Sequence, residues 1–351
     1  MNEVRIGIIG TGGIARGTHI PQLLKVPEAK ITAICDIDEQ KLRQVGDELG
    51  IPESRRFTDF HALTRLDDLD AVEVCTPNVW HVPIALDALE QGKSVNIEKP
   101  LACNYAAAKA LENYPLKPGQ VAMMCFSCRF MPATRYAKHL IDTGLLGEIT
   151  GVDVAYFKDS GLWPGRGLEW RFDKAQAGTG VLGDLGVHLL DMTQLLAGPV
   201  KKVCGRTRTI VKQRPRPDGT MGNVTTDDVC AFLAVLEGDI DVTFNINRCS
   251  LGHKFTVRFD IFGTRGAISF NLANSEVLGI ARAADESAVR EAKLEWVPVP
   301  EEFRVGQEDT FVKAVLGQKR PFFPGLADGL QGQRVLDAIE ASAKEERWCD
   351  V

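Results

Sequence analysis

Val4-Arg5-Ile6-Gly7-Ile8-Ile9 runs without interruption into Gly10-Thr11-Gly12-Gly13-Ile14-Ala15, and the reading of that junction decides the fold. The first six residues read as a buried strand, and the Gly-x-Gly-x-x-Ala that follows reads as a tight turn opening a helix. Gly10 makes the turn, Gly12 lets the backbone approach a pyrophosphate, and Ala15 is small enough for the helix to pack on the strand. A phosphate is expected on the helix N-terminus, among its free N–H groups and partial positive charge, with Gly13 and Ile14 beside it.

A second strand, Ile31-Thr32-Ala33-Ile34-Cys35, ends in Asp36. An acid at that place accepts the ribose hydroxyls of an adenosine and repels a 2'-phosphate, so NAD is expected ahead of NADP; Ile37 stands where an NADP site would want arginine. Asp36 can also be read as part of the N-cap region of the helix from Asp38 to Leu49. The alternation continues through a short strand near 55–57 and Ala71-Val72-Glu73-Val74-Cys75, which ends in Thr76-Pro77-Asn78. A helix from Val82 to Gln91, the strand Ser94-Val95-Asn96-Ile97, a helix from Asn104 to Asn113 and a strand from Val121 to Phe126 complete the pattern of a doubly wound parallel sheet. Right-handed crossovers then bring Gly12, Asp36, Thr76 and Lys99 to the carboxyl edge, where such sheets bind ligands.

Glu98-Lys99-Pro100 follows the strand that ends at Ile97, which delivers a lysine to that edge. Pro100 lacks an N–H and biases Lys99 away from helix, so the lysine closes the strand. A solvated charge at a strand exit is the plainer reading of the tetrapeptide Glu98-Lys99-Pro100-Leu101 taken alone.

Beyond about Ala133 the pattern changes to a helix near 138–143 and alternating strands at 150–157, 203–211, 229–236, 240–247, 256–262 and 267–271, joined by short turns such as Glu237-Gly238-Asp239. The fold class expected is an α/β Rossmann domain (1–126) followed by an α+β domain (127–325) with an open-faced, largely antiparallel sheet, and a C-terminal helix of about 326–344 that packs back on the first domain. Within the second domain lies Gly178-Thr179-Gly180-Val181-Leu182-Gly183-Asp184-Leu185-Gly186-Val187-His188-Leu189-Leu190-Asp191. On a helix, Asp184 and His188 share a face on which carboxylate can meet imidazole, with Asp191 near it, while Leu185, Leu189, Met192 and Leu196 supply an apolar side. Gly183 and Gly186 cost the helix roughly 1 kcal/mol each relative to alanine, which points to a close approach.

The 351 residues suit two domains, and a hydrophobic fraction of 44% fills two cores. A formal net charge of -6 argues against a nucleic-acid surface. Lys201, Lys202, Arg206, Arg208, Lys212, Arg214 and Arg216 form a basic run without an acid, read as the solvated face of strands. No stretch approaches the roughly 20 apolar residues of a membrane span and no targeting segment is visible, so a cytoplasmic protein is expected. The nine cysteines are odd in number and scattered, which suggests reduced thiols. Cys125-Phe126-Ser127-Cys128 lacks the second pair that a structural zinc needs, and no metal is expected.

Taken together, Gly10-x-Gly12-x-x-Ala15, Thr76-Pro77-Asn78-x-x-His81, Glu98-Lys99-Pro100 and Gly180-x-x-x-Asp184-x-Gly186-x-His188-x-x-Asp191 resemble the Gfo/Idh/MocA oxidoreductases, the family of glucose-fructose oxidoreductase and inositol dehydrogenase. The resemblance extends to Trp170-Arg171, to Phe262-Gly263-Thr264-Arg265-Gly266 and to Asp328-Gly329-Leu330. It implies an active site between the two domains, the active lysine at Lys99 and the Asp/His pair at Asp184 and His188. It also implies dinucleotide contacts from Thr76, Asn78, His81, Glu98 and Lys99, and from a loop at Trp170 and Arg171 that reaches the nicotinamide in some members. Ser127-Cys128 replaces the Asn-Tyr that many members carry before Arg129-Phe130, so substrate contacts there do not transfer.

The chemistry of the residues agrees with that pattern. Oxidising a secondary alcohol requires a base for the hydroxyl proton, which suits His188 oriented by Asp184, and a donor that favours the alkoxide, which suits Lys99. The substrate implied is a sugar, glycoside or inositol, and the assembly a homodimer or homotetramer. Two other functions remain open on sequence: a glycosidase-type enzyme that oxidises a sugar carbon transiently, and a non-catalytic sugar or NAD sensor.

Overall fold

The computed structural model describes residues 3–318 and 321–351. Strand β1 (Val4–Ile9) is buried, with Val4, Ile6 and Ile8 all at 0% exposure, as its unbroken apolar content requires. It pairs in parallel with β2 (Ala29–Cys35) on one side and β4 (Ala71–Val74) on the other. With β3 (Arg56–Phe57), β5 (Ser94–Ile97) and β6 (Ala122–Met124), these form a six-stranded parallel sheet of order β3-β2-β1-β4-β5-β6, the doubly wound arrangement of dinucleotide-binding domains. The chain divides into two units, Met1–Phe126 with Gly306–Gln331, and Ser127–Val305 with Gly332–Val351.

Residues 306–325 therefore group with the first sheet rather than with 127–325, and of the helix Leu326–Glu345 only the part up to Gln331 does. Met124 N–H donates to Pro324 O at 2.9 Å, Gly325 bridges Met123, and a Cβ on Gly329 would meet Met124 Sδ at 2.9 Å. The helix Gln307–Val315 adds buried Phe311 and Val312. Of the expected helices in this unit, Glu39–Leu49 is capped by Asp38, whose side chain accepts from Gln40 and Lys41 N–H. The helix expected from Asn104 to Asn113 is only Tyr105–Ala108 with a 3₁₀ turn at Lys109–Leu111. It buries little beyond Ala108 and Leu111 and ends before Asn113, which takes φ 56°.

In the second unit, nine strands form one sheet: β7 (Ile149–Phe157), β8 (Val200–Arg208), β11 (Val229–Leu236), β12 (Asp241–Asn247), β13 (Thr256–Gly263), β14 (Gly266–Asn271), β15 (Val277–Arg282), β16 (Glu295–Pro298) and β17 (Cys349–Asp350). The small hairpin β9 (Gln213–Pro215) with β10 (Met221–Asn223) stands apart from it. Every pairing in the large sheet is antiparallel except β7 with β12. Strand β12 shows why one face is the core: Val242, Phe244 and Ile246 are buried while Asp241, Thr243 and Asn245 are exposed. Register partners Phe232 and Phe244 stack at 4.1 Å, and Phe259 and Phe270 at 5.3 Å, each pair contributing about 0.5–1.5 kcal/mol beyond area. Strand β8 stops at Arg208, short of the expected 211, because the Asp228 carboxylate draws off the N–H groups of Ile210 and Val211 at 2.8 and 2.9 Å. Of the basic run, Arg214 is the exception to a solvated face, being 3% exposed. Among the described residues no helix is long and apolar enough to cross a membrane.

Candidate active site

In the first unit, four strand ends converge on the carboxyl edge. Gly10 closes β1 with φ 91°, and a Cβ there would lie 2.7 Å from Cys75 O, so only glycine fits. A Cβ on Gly12 or Gly13 would meet nothing within 4 Å, which leaves open space over the start of the helical run 13–23. Asp36, after β2, accepts on Oδ2 from Thr11 N–H at 2.8 Å and Thr11 Oγ1 at 2.9 Å, and on Oδ1 from Asp38 N–H at 2.9 Å. The carboxylate thus ties the glycine turn to the second strand and keeps a lone pair of Oδ1 for a further donor. Thr76, after β4, has a buried Oγ1 with no hydrogen-bond partner among the described residues. An open glycine cradle at a helix start after β1, an acceptor after the adjacent β2 and an orphaned hydroxyl after β4 on the other side fit a dinucleotide.

Asn78 is 6% exposed and opens a 3₁₀ turn, while His81 starts the next helix with its ring fully enclosed. His81 Nδ1 lies 2.8 Å from Pro100 O and Nε2 2.9 Å from Thr76 O. Burial pushes its pKa below the ordinary imidazole value, so the neutral ring donates to one carbonyl at a time. His81 braces the Thr76 loop against the Lys99-Pro100 turn, with each ring nitrogen facing a backbone carbonyl. Lys99 is half-buried at the end of β5, and Glu98 is 8% exposed, pointing inward.

Behind Lys99 the structure assembles a group of residues that sequence reasoning missed. His19 Nε2 lies 2.9 Å from Glu98 Oε1, and Nδ1 lies 2.8 Å from Glu308 Oε1 and 3.6 Å from Glu73 Oε2. Asn96 Nδ2 donates to Glu73 Oε2 at 2.9 Å and Glu308 Oε2 at 3.2 Å, and the Cys125 thiol donates to Asn96 Oδ1 at 3.2 Å. Burial opposes a charge on His19, yet the Cys75 and Cys125 sulfurs and the Glu308 carboxylate outweigh it, and its pKa lies well above the usual value. Burial, then Glu308, hold the Glu73 carboxyl well above the carboxylate range; burial pushes the Cys75 thiol up to about 11 and Cys125 well above its ordinary value. One signal was available, since Glu73 and Asn96 are polar residues inside fully buried strands and are register partners across β4 and β5. Glu308, more than two hundred residues away, left none.

In the second unit, Asp184 lies in the π-helical turn Leu182–Gly186, and His188 and Asp191 in the α-helix Val187–Ala197 that continues it. Asp184 is half-buried, whereas His188 and Asp191 are 7% and 4% exposed. Asp184 and Cys128 both raise the Tyr156 phenol, which burial already pushes well above its ordinary pKa, so these side chains share one surrounding. The Asp191 carboxylate takes Arg129 Nε at 3.0 Å and a second guanidinium nitrogen, a buried bidentate pair that fastens the Ser127–Phe130 turn to the helix. The glycines here answer to protein packing rather than to a ligand. A Cβ on Gly186 would lie 2.8 Å from Ile246 Cδ1, and one on Gly180 would lie 2.0 Å from Asp227 O. Trp170 and Arg171 form a 3₁₀ turn in which the guanidinium stacks 4.3 Å from the indole centroid. Cys125 and Cys128 are buried and form no disulfide with one another.

Residues 4–126 match the model of an oxidoreductase family with an NAD-binding Rossmann fold (GFO_IDH_MocA), and residues 134–269 match that of the GFO/IDH/MocA C-terminal domain. An oxidoreductase domain protein from Kribbella flavida superimposes with a TM-score of 0.89 at 32% identity, covering 100% of both chains. Levoglucosan dehydrogenase of Pseudarthrobacter phenanthrenivorans is 29% identical over 100% of this chain and 99% of its own. A levoglucosan dehydrogenase structure in complex with NADH and levoglucosan has a TM-score of 0.88 at 27% identity, covering 99% of each chain.

Proposed function

Because the chain belongs to the Gfo/Idh/MocA oxidoreductases, with an NAD-binding Rossmann domain, we propose that it is an NAD-dependent dehydrogenase oxidising a secondary hydroxyl of a sugar, glycoside or inositol reversibly to a ketone. The observation that carries this is the carboxyl edge of the first sheet, where the open cradle at Gly12 and Gly13, the Asp36 acceptor and Lys99 stand at the ends of β1, β2 and β5. Relatives named for levoglucosan, for myo-inositol and for glucose 6-phosphate support the substrate class.

Gly10, Gly12, Gly13 and Ile14 would hold the pyrophosphate, Asp36 the adenosine ribose, and Thr76 and Asn78 the neighbouring atoms, with Trp170 and Arg171 reaching the nicotinamide. When bound, the nicotinamide supplies the hydride acceptor. His188 takes the hydroxyl proton, Asp184 orients the imidazole and favours its charged form, and the Lys99 ammonium donates to the hydroxyl oxygen as it gains alkoxide character. Asp36 disfavours a 2'-phosphate, so NAD is preferred to NADP.

The assembly proposed is a homodimer or homotetramer through the outer face of the nine-stranded sheet. That face is mixed: Thr243, Asn245 and Arg258 lie among Leu233 and Phe262, 50% and 43% exposed. Light scattering at micromolar concentration tests it, a monomer counting against it. For the activity, a panel of sugars, glycosides and inositols is mixed with NAD and read for NADH absorbance and released aglycone in parallel. NADH from at least one free sugar or polyol supports net oxidation. Aglycone without NADH moves the reading to transient oxidation, and neither signal with NAD bound moves it to a sensor.

A further inference from the structure

His19, Glu73, Glu98, Asn96 and Glu308 belong to one buried network that no step of the proposed reaction uses. His19 and Glu73 are 0% exposed, and Glu308 and Glu98 are 1% and 8% exposed. Each ring nitrogen of His19 lies within 3 Å of a carboxylate oxygen, Nε2 at 2.9 Å from Glu98 and Nδ1 at 2.8 Å from Glu308. A neutral imidazole has one N–H, and would set its lone pair against a carboxylate on the other side in a buried site where that repulsion is weakly screened. With Glu98 and Glu308 both ionised, only the doubly protonated ring satisfies both contacts. Glu98 then spans two partners: Oε1 receives the His19 N–H, and Oε2 receives the backbone N–H of Lys99 at 3.1 Å.

We propose that His19 is an imidazolium at neutral pH that grips Glu98, and through Glu98 sets the backbone from which the Lys99 side chain reaches out, which makes His19 a positioning residue for the lysine. The inference rests on the reading that Lys99 acts on the substrate. Charge in the pocket closes around it. The groups facing His19 are Glu73 and Cys75 from β4 and its end, Glu98 after β5, Cys125 after β6, and Glu308 from the helix Gln307–Val315. Burial and the neighbouring Glu308 favour the proton on Glu73, which leaves one imidazolium facing two carboxylates, Glu98 and Glu308. Asn96 and Gln307 amides donate to Glu308 at 3.2 and 3.0 Å and absorb the remaining negative charge.

His19, Glu73 and Cys125 also each bring a ligand-capable atom within 4.8 Å of the others. A metal there would need a bare imidazole nitrogen and a thiolate. Here both nitrogens are engaged by carboxylates and the thiol donates to Asn96, so the proton reading is the stronger.

Two measurements on the full chain test the proposal. Ring ¹⁵N spectra of histidine-labelled protein, with His19 assigned by its absence in His19→Gln, should show both nitrogens protonated at neutral pH and still protonated well above the ordinary imidazole range. A neutral ring at neutral pH overturns the proposal, as does one equivalent of zinc retained through dialysis against chelator. In kinetics, His19→Gln and Glu98→Gln should each lower kcat about 10-fold or more with substrate KM and NAD affinity within about 3-fold, and the double variant should lose no more than the worse single. Lys99→Ala is measured beside them. If it retains turnover, the functional reading fails and the ring spectrum still decides the charge state. If it loses turnover while His19→Gln and Glu98→Gln keep wild-type kcat, the positioning role is overturned.

Discussion

Replacing Asp36 should change which dinucleotide the enzyme uses, by an amount the structure lets us work out. A 2'-phosphate placed where the ribose hydroxyls meet Asp36 would bring two negative charges to roughly 6 Å. At an effective dielectric constant of about 20 that repulsion is about 2–3 kcal/mol, a preference for NAD of roughly 30- to 150-fold. Asp36→Ala removes the repulsion and the ribose acceptor together, so kcat/KM for NAD should fall about 10-fold, NADP should hold or improve, and the ratio should shrink below about 10. Asp36→Asn should be the worse protein of the two. The carboxylate receives N–H groups on both oxygens, from Thr11 on Oδ2 and from Asp38 on Oδ1, whereas an amide offers one acceptor and must turn its NH₂ against the other donor. Asn should therefore loosen the glycine turn more than Ala, which lets water take both N–H groups. Steady-state kcat/KM with both cofactors, on wild type and both variants, is the assay. Equal use of NADP by the wild type, or an unchanged ratio in Asp36→Ala, would refute the reasoning.

Lys99→Ala and His188→Ala should each lower turnover at least roughly 100-fold with NAD affinity within a few-fold, and Asp184→Asn should cost less because it misorients the base without deleting it. An acidic limb in the kcat profile that disappears in His188→Ala is the matching pH signature. Gly10→Ala, with φ 91° and a Cβ 2.7 Å from Cys75 O, should lose about 2 kcal/mol of stability in denaturant titration, whereas Gly13→Ala, facing open space, should leave stability unchanged and weaken NAD about 10-fold by calorimetry. Stability should also fall as pH rises. His19 and Glu73 both have pKa values raised in the folded state, so each contributes stability that is complete below its unfolded value, about 6.5 and 4.3. That stability is lost on the way up through the folded value, with a slope of up to about 1.4 kcal/mol per pH unit per proton. Denaturant titrations from weakly acidic to alkaline pH check it, and His19→Gln should flatten the alkaline part.

The first sheet was legible because its strands advertise themselves in two ways, as unbroken apolar runs and as runs that end in residues with fixed jobs. Val4–Ile9 ends in glycine, Ala29–Cys35 ends before Asp36, and Ser94–Ile97 ends before Glu98-Lys99-Pro100. Parallel pairing then puts those ends on one edge without further information. The second sheet was legible where alternation was clean, as in β12, and was missed at β15, β16 and β17, where strands are short or half-covered. His81 illustrates what motif matching leaves out, since its ring spans two backbone carbonyls, of Pro100 and Thr76, that no local pattern names. The glycines at 183 and 186 point in the sequence to a close approach, and at Gly186 the atom that approaches is Ile246 Cδ1. The His19 network was the least legible, because Glu308 reaches it from a helix whose return to the first sheet no local pattern encodes.

The central claim is that this chain moves a hydride from a carbinol carbon to NAD, and the fate of that hydrogen tests it most directly. Levoglucosan, myo-inositol and glucose, each perdeuterated on carbon, are mixed with enzyme and NAD in a single turnover and the cofactor is analysed by mass. The account predicts that at least one of them yields NADH one mass unit heavier, with the label absent from cofactor treated with Lys99→Ala. Unlabelled cofactor from every substrate, with NAD binding intact, would contradict it.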